Sequence, residues 1–387
     1  MSSLPHINWS YPTSVRFGVG RIKELPEAVK ATGMSNPLLV TDPGVAALPM
    51  VADAIASLKA AGLGADVFSN VKPNPIDANI EAGVAAYKMG KHDGVIAFGG
   101  GSGLDAGKLI AFMSGQTRPI WDFEDIGDWW TRADEAGIAP IIAVPTTAGT
   151  GSEVGRAGVV TNSETHTKKV IFHPKMLPAI VICDPELTAG MPKMITVGTG
   201  MDALAHCLEA YSSPFYHPMS EGIALEGIRL VLENLPKVAA DGSDLEARGH
   251  LMSAAAMGAV AFQKGLGAIH SLSHPVGALY DTHHGMTNAV FMPYVLQFNK
   301  AAIEQKFERL AGFLGIAGGY QGVLDAILKL REDLGVPHTL KGLNVDGAKR
   351  DLIAEMAVVD PTAGGNPVKL TKEGALEIFD KALSGEV

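Results

Sequence analysis

Four side chains in two short segments could assemble reactive chemistry in this sequence. Asp202 and His206 stand in GMDALAHCLEAY, and His270 and His284 stand in GAIHSLSHPVGALYDTHHG. A carboxylate with imidazoles suits a divalent transition ion such as zinc or ferrous iron, and cysteine takes no part in the set. On a helix, positions i and i+4 project from one face, so Asp202 and His206 can grip one ion together. His270 and His274 repeat that spacing. Four protein ligands would close a tetrahedral structural site, whereas a larger shell would still admit substrate. The competing reading is that buried histidines only hydrogen-bond within a core.

A second constellation is rich in glycine. GVIAFGGGSGLDAGKLIAF reads as strand, turn and helix, and Gly101 to Ala106 fits G-x-G-x-x-A. Such glycines let a backbone approach a pyrophosphate, while the helix N-terminus offers unpaired N–H groups to the anion. A tight turn that merely packs helix on strand is the alternative. A Walker A loop does not fit, because Ser102 replaces its first glycine and Leu109 follows Lys108. Asp42 ends the apolar stretch PLLVTD and could bind a ribose hydroxyl, favouring NAD over NADP, or else cap a turn. Thr146, Thr147 and Thr150, in VPTTAGTGSE, could offer hydroxyls to the same cofactor.

The elements that must carry these groups alternate in the first half. Leu38 to Thr41, Asp66 to Phe68, Gly94 to Phe98 and Ile141 to Val144 read as strands. Between them lie helical stretches such as VADAIASLKAAG, DANIEAGVAAYKMG and LDAGKLIAFMSG, a pattern that predicts a parallel sheet with helices on its faces. The glycine turn follows two of these strands, which predicts a phosphate site in a topology other than the classical first-strand one. From Ile195 onward the pattern is alanine- and leucine-rich helix. The boundary falls near Pro192, giving domains 1–190 and 191–387. The tail from about Gly335 reads as short polar turns and helices and carries no chemical signal.

A chain of 387 residues can bury two cores. Its net charge of -10, without any Lys/Arg block, argues against nucleic-acid binding. No apolar run reaches the roughly 18 residues of a membrane span. Cys183 and Cys207 make no disulfide framework, and MSSLPHINWSYPTSV lacks the basic and apolar regions of a signal peptide. A cytoplasmic protein is expected.

Together these segments resemble the iron-containing (group III) alcohol dehydrogenase family. The resemblance runs almost end to end, through FGVGRIKELP, VTDPGV, KPNP, GGGSGLDAGK, PTTAGTGSEV, DPELTAGMP, GMDALAHCLEAY and GAIHSLSHPVGALYDTHHG. It implies an α/β N-terminal nucleotide-binding domain, an all-α C-terminal metal-binding domain and a catalytic cleft between them. It implies that Asp202, His206, His270 and His284 hold the metal, with His274 close by and His283 outside the ligand set. Gly99, Gly100, Gly101 and Ser102 would line the pyrophosphate. Asp42, Asn74, Asp105, Thr146 and Thr147 match cofactor-contact positions, and Lys168 or Lys169 fills the ribose-side lysine. Ferrous iron is the family's metal, although the same ligands would also accept zinc, manganese or cobalt.

The expected function is metal-dependent, NAD(H)-linked alcohol dehydrogenase or aldehyde reductase chemistry. His274 is a candidate to relay the proton, in competition with water or the ribose hydroxyls, or else it orients a ligand. Arg156 and Lys264 stand where relatives carry neutral or small side chains. Facing the substrate, they would favour a short anionic semialdehyde of the 4-hydroxybutyrate type; otherwise they are solvated or paired with residues such as Glu153. Other outcomes are a polyol-phosphate dehydrogenase, a dehydroquinate-synthase-like lyase, or a metal- and nucleotide-binding scaffold without turnover. A homodimer or higher homo-oligomer is expected.

Overall fold

Strands buried on both faces must be apolar throughout, and four segments of the first half meet that condition. The computed structural model describes residues 11, 13–165 and 167–387. The opening ten residues, read above for a leader, lie outside the described residues. The chain forms two units, Pro12–Gly190 and Met191–Val387.

In the first unit, strands β1 (Ser14–Phe17), β2 (Pro37–Val40), β3 (Asp66–Phe68), β4 (Gly94–Gly99), β5 (Ile141–Pro145) and β8 (Ile180–Cys183) form one parallel sheet. Its order is β1-β8-β5-β4-β2-β3, and β2, β4, β5 and β8 are buried along their whole length. Helices α1 (Leu25–Ala31), α2 (Pro43–Ala46), α3 (Pro49–Ala60), α4 (Asp77–Met89) and α5 (Gly101–Met113) complete the α/β alternation. Leu39, Ile96, Phe98, Ile142, Val144 and Ile182 pack with Val29 and Leu58 in one core.

Four strands escaped the pattern reading, among them the buried β8. β1 is an exposed edge strand, so its outward positions carry no apolar run. The strands β6 (Ala157–Asn162) and β7 (Thr167–Phe172) form a separate antiparallel hairpin whose half-exposed residues alternate weakly. Three sheet strands therefore precede β4, the strand that leads into the glycine turn, not two.

From Met191 the described residues contain helices and no strand: α6 (Lys193–Ser212), α7 (Pro218–Ala240), α8 (Leu245–Ala261), α9 (Ala268–Tyr280), α10 (His284–Leu314), α11 (Gly319–Asp333), α12 (Arg350–Val359) and α13 (Lys372–Ser384). α6 packs against α7, α8 and α10 and is buried nearly all round, the mark of a central helix. Among the described residues no single helix is long and apolar enough to cross a membrane.

Candidate metal centre and dinucleotide site

The helical unit builds the metal centre from three helices. Asp202 and His206 project from one face of the buried helix α6, His270 comes from the first turn of α9, and His284 is the first residue of α10. Asp202 Oδ1 lies 3.8 Å from His206 Nε2, 3.7 Å from His270 Nε2 and 3.5 Å from His284 Nε2. Bonds of about 2.1 Å to a first-row ion hold tetrahedral ligands roughly 3.4 Å apart, so the spacing of each histidine from Asp202 suits a shared ion. The donors suit the ion too: a carboxylate oxygen of Asp202 and imidazole nitrogens of His206 and His270 lie within 4.8 Å of one another, all three residues buried, and His284 adds a third imidazole beside Asp202. Burial opposes charge on Asp202, but the imidazoles, His206 foremost, hold its carboxyl well below the usual range.

Local sequence explains the approach of the helices. A side chain on Gly285 would strike the backbone carbonyl of Gly198, so only glycine lets the first turn of α10 rest on α6. In the THHG turn the two histidines divide the work. His283 caps α10, its Nδ1 accepting the Met286 amide at 3.3 Å, and His284 faces the ligand cluster.

Three supporting residues had not been singled out. Glu209 Oε2 lies 2.5 Å from His270 Nδ1, which turns the ring so that Nε2 faces the cluster. Asn288 Nδ2 reaches Asp202 Oδ1 at 2.7 Å. Asp360 Oδ2 lies 2.8 Å from Nδ1 of His274, whose ring stacks on that of His284 at 5.5 Å. Glu209 was within reach of the spacing argument, since Asp202, His206 and Glu209 stand at i, i+4 and i+7. Asp360 had no local signal. It belongs to the tail in which the sequence carried no chemical signal, as does Asn366, whose Oδ1 accepts the Ala268 amide at the start of α9.

Lys264 requires a correction. Its side chain is fully buried, and its ammonium donates to the carbonyls of Tyr211 at 3.3 Å and Ser213 at 2.8 Å and to Glu221 Oε1 at 2.8 Å. A lysine has three N–H donors, and all three are used. Lys306 bonds to the same three acceptors. Lys264 therefore caps the C-terminus of α6 and does not present its charge to a substrate.

The first unit brings residues expected to meet a dinucleotide to the carboxyl ends of neighbouring strands. The chain leaves β2 toward β3 and leaves β4 toward β5, in opposite directions, so a crevice opens between β2 and β4 where such sheets bind ligands. Asp42 follows β2, and Gly99 to Ser102 follow β4. Gly99 has φ +139, a conformation that excludes other side chains, and Gly100 begins α5 as its N-cap. Asp42 Oδ1 caps α2 through the amides of Gly44 and Val45, at 2.9 and 3.0 Å, while its Oδ2 faces Gly99. The capping reading of Asp42 is thus realised through Oδ1, and Oδ2 is left on the side of the glycine turn.

The threonine loop comes alongside because β5 neighbours β4. Thr146 donates its amide to Gly99 O at 2.9 Å, and methyl carbons of Thr147 and Thr150 abut Gly100 and Gly101. The Ser102 hydroxyl bonds to the carbonyl of Pro73, which brings Asn74 beside the turn. Asp105 is engaged within the unit, by the Ser152 hydroxyl, the Val159 amide at 3.1 Å and Lys108 at 3.2 Å. Lys169 pairs with Glu124 at 3.0 Å. Lys168 registers with Thr161, whose amide bonds to Pro75 O next to Asn74. The Arg156 guanidinium lies 5.2 Å from the centre of the Phe172 ring.

Comparison with known proteins agrees with this geometry. The model of the family "Iron-containing alcohol dehydrogenase" matches residues 12–185, and the family's C-terminal model matches residues 196–383. The chain is 37% identical to 4-hydroxybutyrate dehydrogenase of Cupriavidus necator, over 92% of this chain and 94% of that one. It superposes on the crystal structure of 1,3-propanediol oxidoreductase with TM-score 0.93 and 35% identity, covering 98% of this chain and 100% of that one. On sulfoacetaldehyde reductase from Bifidobacterium kashiwanohense, solved with NAD+, the TM-score is 0.89 at 28% identity, with 98% and 99% covered. With a possible metal site at Asp202, His206 and His270 in one unit and a glycine-turn crevice in the other, the chain belongs to the iron-containing, NAD-linked alcohol dehydrogenase family.

Proposed function

We propose that this alcohol dehydrogenase interconverts a short ω-hydroxy acid and its semialdehyde, with 4-hydroxybutyrate and succinate semialdehyde as the pair to test. The observation that carries this reading is the near-full-length likeness to a 4-hydroxybutyrate dehydrogenase. The sulfoacetaldehyde reductase, named for an aldehyde that bears a sulfonate, supports the same substrate character. With Lys264 withdrawn, Arg156 is the basic residue assigned to the carboxylate, which a guanidinium can grip with two hydrogen bonds.

Asp202, His206, His270 and His284 are assigned to the ion. Iron there supplies Lewis acidity to the substrate oxygen, and the nicotinamide supplies or accepts the hydride. The remaining roles fall to the chain itself. Amides of Gly99 to Ser102, at the start of α5, meet the pyrophosphate, and Asp42 meets the ribose. Asn74, Thr146, Thr147, Thr150 and Lys168 flank the cofactor, while Asp105 acts through Ser152 by holding the threonine loop. Asp360 fixes Nδ1 of His274, leaving Nε2 to carry the proton between the alcohol oxygen and solvent. The reading includes a cytoplasmic homodimer or higher homo-oligomer. Two buried free cysteines suit a reducing compartment, and the open edge of β1, with half-exposed Val15 and Phe17, suits pairing with a second copy.

The test is NADH oxidation by anaerobically purified, ferrous-loaded enzyme with succinate semialdehyde, 3-hydroxypropanal and butanal. A kcat/KM at least about tenfold higher for the acid, ~1.4 kcal/mol, supports the proposal. Preference for 3-hydroxypropanal moves the substrate to a neutral diol, the second reading favoured by the likeness to 1,3-propanediol oxidoreductase. Turnover of none of the three sinks both.

A further inference from the structure

We propose that Asn288 is a positioning residue of the metal centre: its amide pins the Asp202 carboxylate and closes one face of the ligand set. Asn288 lies four residues after His284 on α10, so both project toward the same cluster. It is fully buried. Its Nδ2 lies 2.7 Å from Asp202 Oδ1, 3.2 Å from His270 Nε2 and 3.2 Å from His284 Nε2. One nitrogen therefore stands over the triangle formed by three of the four ligand atoms.

Asp202 decides which way the amide points. Turned over, Asn288 would set its carbonyl oxygen against a carboxylate oxygen, lone pairs facing lone pairs. With the nitrogen inward, the amide donates a charge-assisted hydrogen bond. The observed orientation leaves Asn288 Oδ1 without a hydrogen-bond partner among the described residues, a penalty that a buried amide accepts only against a stronger contact elsewhere. The consequence is steric as well as electrostatic. A nitrogen about 3 Å from all three atoms fills the volume a water would need on that face, so an exchangeable ligand must approach the ion from another side.

The test uses the full-length protein, stripped of metal and reloaded, with Asn288→Ala and Asn288→Leu. Affinity is read by chelator competition and coordination by the visible absorption of the cobalt(II) form, whose bands weaken as ligands are added. Both variants should lose affinity by on the order of tenfold, because Asp202 loses its donor. The cobalt bands should weaken in N288A, where water enters, and stay near wild type in N288L, where the side chain still fills the face. Unchanged affinity in both variants overturns the pinning role, and wild-type bands in N288A overturn the closed face. Should N288A fail to fold, Asn288→Ser leaves a similar opening and is read in the same way.

Discussion

Glu209 holds His270 at two points. Its Oε2 lies 2.5 Å from the ring Nδ1, and its Oε1 accepts the Ile269 amide at 2.7 Å in the first turn of α9. The carboxylate thus orients a metal ligand and anchors the helix that delivers it. Glu209→Gln keeps the shape but removes the charge that fixes the ring. Metal affinity measured by chelator competition should fall about 10- to 100-fold, with a smaller loss of turnover at saturating ferrous ion. Unchanged affinity would mean that Glu209 serves α9 alone.

Asp42 is expected to set the preference for NAD over NADP. Asp42→Asn is the informative change, since an amide oxygen can still cap α2 through Gly44 and Val45 while the charge that repels a 2′-phosphate is gone. The ratio of kcat/KM for NADH to that for NADPH should drop on the order of tenfold, ~1.4 kcal/mol, with little change in melting temperature. A ratio that stays put would assign Asp42 to capping only.

The two basic residues should separate cleanly. Lys264→Met removes a buried donor from Glu221 and two carbonyls, and Lys306 remains to satisfy part of that demand. A loss of about 1–3 kcal/mol in unfolding free energy is expected, with the preference between acidic and neutral aldehydes unchanged. Arg156→Ala should do the reverse, lowering kcat/KM for succinate semialdehyde selectively. Equal losses on all substrates would return Arg156 to a structural role against Phe172.

Glu153 makes stability depend on pH. It is buried in the threonine loop, and burial pushes its carboxyl up to about 7, with the Lys108 ammonium opposing. Because the folded value is raised, the stabilising contribution is fully present below about pH 4.5 and is lost as pH rises through 7. Glu153→Gln stays neutral across this window. In urea denaturation, wild type should lose about 3 kcal/mol more than the variant between pH 4.5 and pH 8. Parallel profiles would show that Glu153 does not titrate in that range.

Much of the site was legible from spacing. The i, i+4 relation of Asp202 and His206 places both on one helix face whatever surrounds the helix, and a glycine turn between an apolar strand and a helix specifies its own backbone. Neighbouring strands explain the rest of the dinucleotide residues: once β2, β4 and β5 lie side by side, Asp42, Gly99 and Thr146 must meet at their ends. The exposed strand β1 and the β6–β7 hairpin were missed because half-buried strands carry too little apolar periodicity, and the buried β8 because four apolar residues alone do not separate a strand from a helix segment.

What local sequence settles, then, is which side chains share a face and which backbone can turn. It could not tell that Lys264 spends two donors on the end of α6, 53 and 51 residues back along the chain, and the third on Glu221 of α7. Nor could it tell that Asp360 reaches His274 across 86 residues, or that Asn288 turns its amide toward Asp202 across another 86. Those relationships exist only after the helices pack. A buried charge or amide must then be matched by whatever group the neighbouring helix presents, and no periodicity along one segment encodes that partner.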